Sequence, residues 1–121
     1  MANHNIVHIE FSAQDREAAG KFYSEAFGWK IQQFPEMNYT IFETEDGPGG
    51  GFNPVSENNP AGTVLVHIAT DDIEDNLAKI ESLGGSTLVP KTEIPQVGWF
   101  AIFTDPTGNQ VALYTSLKPG A

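Results

Sequence analysis

The sequence predicts an α+β fold made of two β-α-β-β-β modules, and three observations carry that reading. Val-His-Ile occurs twice, at 7–9 and at 66–68, each time inside a short apolar run. Each run leads through polar and acidic residues into a stretch with apolar side chains at three- and four-residue spacing, which ends at glycine. Three short extended runs follow each helix, set apart by turn residues. Modules of about 55 residues are too small to bury their sheets alone, so the pair should share one core.

The elements follow in order. Residues 6–11 (Ile-Val-His-Ile-Glu-Phe) form the first strand. Ala18, Ala19, Phe22, Tyr23, Ala26 and Phe27 give the first helix its apolar stripe, with Asp15 as cap and Gly28 as stop. Runs at about 29–34, 38–44 and 50–55 complete module one, punctuated by Pro35 and by Gly47-Pro48-Gly49. Residues 56–62 have linker composition. Strand 64–69 opens module two. Ile73, Leu77, Ile80 and Leu83 then mark a helix capped by Asp72 and stopped at Gly84-Gly85. Runs at about 86–90, 98–104 and 110–116 close the chain, with turns at Pro90, Pro95 and Asp105-Pro106-Thr107-Gly108. The expected division is thus a single domain over 1–121, with modules at about 4–55 and 63–117.

Composition excludes several functions. The 121 residues carry 6 Lys+Arg against 16 Asp+Glu, a net charge of −10. That argues against a nucleic-acid partner, which needs a basic surface, and favours cationic ligands at low salt. There is no Cys, hence no thiolate nucleophile and no Cys-ligated zinc. No apolar stretch approaches the roughly 20 residues of a spanning helix, and the first residues lack a basic leader, so no membrane partner and a cytoplasmic location are expected. Phosphate-loop, dinucleotide and nucleophile-elbow motifs are missing. Gly47–Gly51 follows Glu45-Asp46 without a nearby Lys, so it reads as a turn.

The pattern resembles the vicinal-oxygen-chelate superfamily, which includes glyoxalase I, extradiol dioxygenases and the bleomycin- and fosfomycin-resistance proteins. The residues that carry the resemblance are the strand Ile6-Val7-His8-Ile9-Glu10 and the run Ala18-Ala19-x-x-Phe22-Tyr23-x-x-x-Phe27-Gly28-Trp29. In the second half they are Asp71-Asp72-Ile73-x-x-x-Leu77-x-x-Ile80-x-x-Leu83-Gly84-Gly85 and Phe103-x-Asp105-Pro106-x-Gly108-Asn109-x-Val111-x-Leu113. The resemblance covers essentially the whole chain. It implies the glyoxalase/bleomycin-resistance fold, a cupped mixed sheet with helices outside and the ligand or metal inside, and it implies a homodimer. Segment 91–98 resembles the loop that overhangs the cavity mouth in relatives.

In a cup, strand alternation assigns faces. Val7, Ile9 and Phe11 should pack under a helix, with His8 and Glu10 pointing inward. Val64, Val66 and Ile68 should pack outward, with Leu65, His67 and Ala69 inward. Val111 and Leu113 leave Gln110, Ala112 and Tyr114 inward. Either Trp99 and Phe103 or Phe100 and Ile102 line the cup, and Trp99 and Phe103 are taken as ligand contacts. The ligand-binding candidates are therefore His8, Glu10, His67, Trp99, Phe103 and Tyr114, with Glu10 as the candidate catalytic base.

The resemblance also implies a test for a metal. Metal-dependent members draw one His or Glu from each of four inner strands, a donor set suited to Ni, Zn, Mn or Fe. Here the first position is His8. The second falls in Gly49–Phe52, the third on Leu65 with His67 one inward position further on, and the fourth on Ala112. The full set is missing. His8 and His67, with Glu10, remain an alternative donor set for a divalent ion. The first functional reading is a small organic molecule bound in the cup, with no cofactor. The alternatives are a divalent-metal-dependent lyase or dioxygenase that uses His8, and a non-catalytic regulatory or assembly module.

Overall fold

The computed structural model describes residues 4–117. The elements run β1 (Ile6–Ala13), α1 (Arg16–Phe27), β2 (Lys30–Phe34), β3 (Tyr39–Glu43), β4 (Gly49–Pro54), β5 (Val64–Ala69), α2 (Ile73–Ser82), β6 (Ser86–Ile94), β7 (Gly98–Thr104) and β8 (Gln110–Ser116). This is the twice-repeated β-α-β-β-β order, an α+β fold. The described residues divide into two compact units, one of Val7–Leu65 and one of residues 66–117 with residues 4–6. Neither helix is long and apolar enough to cross a membrane.

In the first unit the strand order is β2-β3-β4-β1. β1 and β4 run parallel, and the remaining neighbours are antiparallel. The second unit repeats the scheme as β5-β8-β7-β6, with β5 and β8 parallel. Among the described residues each module has a cluster of buried apolar side chains. Ala13, Phe42 and Phe52 gather with Phe11, Ala19, Tyr23, Trp29 and Ile31. Ile73, Leu77, Ala101 and Leu113 gather with Ile68, Ile80, Trp99 and Phe103. Each cluster joins a helix to its own module's sheet.

The caps fall where the side-chain chemistry requires them. Asp15 accepts a hydrogen bond from the Ala18 backbone, and Asp72 accepts one from that of Asp75. Gly28 ends α1 in the left-handed region at φ 75°. Gly20 lets α1 approach its sheet closely, since a Cβ there would meet the Ile31 side chain at 2.8 Å. That approach selects Ala19 and Tyr23 as the contact stripe. Phe22 and Phe27, expected in it, stay 62% and 65% exposed. Val64, expected to pack, is also exposed, and Leu65 is buried instead.

Residues 91–94 are not part of an overhanging loop. They extend β6, whose pairing with β7 shifts register between Thr87 and Val89 and again between Val89 and Thr92. Pro90 sits inside the second shift, where its missing N–H breaks no regular ladder bond.

Candidate functional site

Ladder register sorts the candidate residues by face, because directly paired residues share a side of the sheet. In module one His8 lies beside Gly49, Glu10 beside Gly51 and Ser12 beside Asn53. Thr40 and Phe42 oppose Phe52 and Gly50, so Tyr39 and Ile41 lie on the Gly51 side. Phe11, Phe42 and Phe52 point toward α1. His8, Glu10, Tyr39 and Asn53 therefore share the face away from α1, as alternation along β1 predicts for the first two.

These four side chains form one connected network. Tyr39 Oη donates to Glu10 Oε2 at 2.8 Å. Asn53 Nδ2 donates to Glu10 Oε1 at 2.5 Å. His8 Nε2 lies 2.8 Å from Tyr39 Oη and 3.7 Å from Glu10 Oε2. The Tyr39 proton is directed at Glu10, so His8 must supply the proton of its own bond, which places hydrogen on Nε2. Strand geometry sets residues i and i+2 about 7 Å apart along β1. Through Tyr39, the His8 and Glu10 side chains are linked across that spacing. Glu10 is half-buried and both of its oxygens accept hydrogen bonds.

Tyr39 and Asn53 were not singled out as site residues from the sequence. The signal that could have found Tyr39 is the glycine run. A Cβ on Gly51 would lie 2.0 Å from Tyr39 Oη, so the phenol occupies the room that a side chain on β4 would fill. Burial, then the charge of Glu10, then the hydrogen bond to it raise the Tyr39 pKa far above its ordinary value. The phenol is therefore a permanent O–H donor across the working pH range. The sign of the pH effect follows. Above pH ~10 the unfolded chain releases this proton and the folded chain keeps it, so the group lowers stability as pH rises and costs nothing below that pH. Wild type and Y39F should give the same near-ultraviolet tyrosinate signal while folded and diverge only as alkaline unfolding sets in. An extra reversible ionisation in the folded wild type would contradict this.

Module two repeats the ladder. His67 lies beside Ala112, Ala69 beside Tyr114, Phe100 opposite Tyr114 and Ile102 opposite Ala112. These residues share the face away from α2. His67 is buried and Tyr114 half-buried. Trp99 and Phe103 are a correction: they pack on the α2 side with Ala101 and Leu113 and do not line the other face. Both alternations of β7 are apolar, so period two had no polar residue with which to choose. Lys91 Nζ sits 5.3 Å from the Trp99 ring centroid, outside that core.

Within each module the register names the neighbour of the imidazole: His8 stands beside Gly49, and His67 beside Ala112. Gly49, Gly51 and Ala112 offer no donor atom. Among the described residues no group of three or more His, Asp or Glu side chains is arranged to hold a metal ion. These residues do not fit the four-ligand site of the metal-dependent relatives.

The comparisons agree with this architecture. Residues 5–45 match the family described as bleomycin resistance protein-like N-terminal. A glyoxylase-like domain-containing protein of Didymella fabae is 35% identical over 122 residues, covering 93% of this chain and 92% of that one. CFP32 of Mycobacterium tuberculosis, named there as a candidate glyoxylase, is 27% identical over 113 residues. The match takes in 88% of this chain but only 43% of the mycobacterial protein, so the chain spans less than half of that relative. A glyoxalase/bleomycin resistance protein/dioxygenase superfamily member from Vibrio splendidus superposes with a TM-score of 0.69 at 14% identity, over 93% of this chain and 98% of that one. With β-α-β-β-β modules repeated in register and a relative of this identity along nearly its whole length, the chain belongs to the vicinal-oxygen-chelate superfamily, among its glyoxalase/bleomycin-resistance-like members.

Proposed function

We propose that the chain acts as one such domain that binds a small organic molecule against the sheet face bearing His8, Glu10 and Tyr39, without the metal site of its metal-dependent relatives. The observation that supports this is the closed hydrogen-bond network. Glu10, the one carboxylate of the set, is engaged through both oxygens by Tyr39 and Asn53. A phenol stands over Gly51, on the strand where the second ligand belongs. Half-buried His8 and Tyr39 set an imidazole and a phenol side by side on this face, between Gly49, Gly51 and Ile41. In this reading no cofactor is required.

Two measurements test it. Protein purified without chelators or a His-tag should carry well under one equivalent of any transition metal by elemental analysis, and Ni²⁺, Mn²⁺ or Zn²⁺ should not raise its melting temperature. Near-stoichiometric metal, with melting raised by the same ion, would overturn the proposal in favour of a lyase or dioxygenase that uses His8 with Glu10 or His67. We further propose that two copies pair. Phe22 and Phe27 leave exposed aromatic surface on α1, where a soluble monomer would not be expected to keep it. Sedimentation should give twice the chain mass for wild type and the monomer mass for F22D/F27D. A wild-type monomer at micromolar concentration would refute pairing.

A further inference from the structure

We propose a second ligand site in module one, on the α1 side of its sheet, that takes a small organic ammonium ion with an apolar body. A cavity of about 320 Å³ opens there, between the end of β1, the start of α1 and the segment leading into β5. That volume lies at the small end of the range for organic ligands. The His8 network is on the opposite face, so this cavity belongs to no site described above.

Three rings form the apolar wall. Phe11 stacks on Tyr23 with centroids 5.8 Å apart, and Phe52 packs on both, at 6.0 and 5.5 Å. Polar residues border the mouth: Gln14, Asp15 and Thr63, with the Ser12 backbone beside them. Asp15 spends Oδ1 on the Ala18 backbone N–H as the α1 cap. Its negative charge remains at the cavity edge.

The charge class of the ligand follows from what surrounds the mouth. A helix start attracts anions, but here that place is filled by the Asp15 carboxylate, which repels a second anion. No Lys or Arg lines the cavity. Arg16, the next residue along the chain, turns its guanidinium to Thr40 Oγ1 at 3.3 Å. A protonated amine meets an opposing carboxylate, a polar rim and ring surface that tolerates cations. The chain's net charge of −10 concentrates such ions near it.

The test uses the full chain and two probes of nearly equal shape, protonated phenethylamine and neutral 2-phenylethanol. Amide chemical shifts are followed by heteronuclear NMR. The amine should give saturable shifts at millimolar concentration, clustered at Ser12, at Gly62 and Thr63 and at the first turn of α1. The alcohol should bind about tenfold more weakly, the loss of one charge-assisted contact. D15N should lose the same factor while its melting temperature holds, because Asn caps a helix as well as Asp. Equal binding of amine and alcohol overturns the proposal, as does amine binding undiminished in D15N. Shifts centred on His8 and Tyr39, or no saturable shift, also overturn it. Should D15N fold poorly, the two probes on the wild-type chain decide alone.

Discussion

G50A is expected to be the most destabilising single substitution in module one. A Cβ at residue 50 would lie 1.8 Å from the Ile9 carbonyl oxygen and 2.7 Å from the Phe42 ring. The first contact is with backbone, in the parallel β1–β4 ladder where Ile9 lies beside Gly50. Backbone in a ladder cannot step aside without breaking the pairing of His8 through Ala13 with β4. The cost should exceed about 3 kcal/mol, above the usual overpacking range because no rotamer relieves it. Set against a total stability of about 5–15 kcal/mol, that removes a large share of the folding free energy and should move the urea midpoint far down. Circular dichroism and urea titration read this directly. A G50A variant with a wild-type urea midpoint would show that β1 and β4 are not in this register.

G51A, one residue further on, should do something quite different. Its Cβ would collide with Tyr39 at Oη, Cζ and Cε2, at 2.0, 2.2 and 2.6 Å. All three atoms belong to a side chain that can swing toward solvent. The fold should therefore survive with a loss of about 1–3 kcal/mol, the cost of leaving half-buried polar groups without their partners. The site should not survive. Once out of its pocket, Tyr39 loses the burial and the neighbouring carboxylate that raise its pKa. Tyrosinate titration of folded G51A should show one ionisation more than folded wild type, and Y39F/G51A should remove it. Unchanged titration in G51A would mean that the phenol does not fill the space over Gly51. The two glycines thus separate the fold from the Tyr39 network within two residues, by what stands behind each missing Cβ.

The same contrast explains how much was legible beforehand. Phe11, Leu113 and Ile68 were assigned to their helix-facing sides because the strands that carry them alternate apolar with polar or small residues. His8 and Glu10 were placed on the other face by the same rule. The rule was silent on β7, where Trp99, Phe100, Ile102 and Phe103 are all apolar. There α2 decides, by packing on Ala101. Pro90 was read as a strand end, although a register shift lets the strand continue through it. Tyr39 and Asn53 reach Glu10 from 29 and 43 positions away. No local period carries that information. Only the empty volume of a glycine run hints that a neighbour's side chain must fill it. The helical stripe of α1 failed at Phe22 and Phe27 because spacing gives the moment of a helix but not the width of the sheet beneath it.

The two register shifts in β6 have a consequence for the life of the protein in a crowded solution. β6 is the last strand of its unit, nine residues long, with Leu88 half-exposed along it. A straight strand of that length would present an unbroken row of amide donors and carbonyl acceptors to any passing extended chain. The shifts at 87–89 and 89–92 put that row out of step, Pro90 removes a donor from its middle and Lys91 sets a charge beside it. A foreign strand could match only two or three residues before losing register. The irregularity that made β6 read as ending at Pro90 thus guards this margin of the sheet against seeding a fibre.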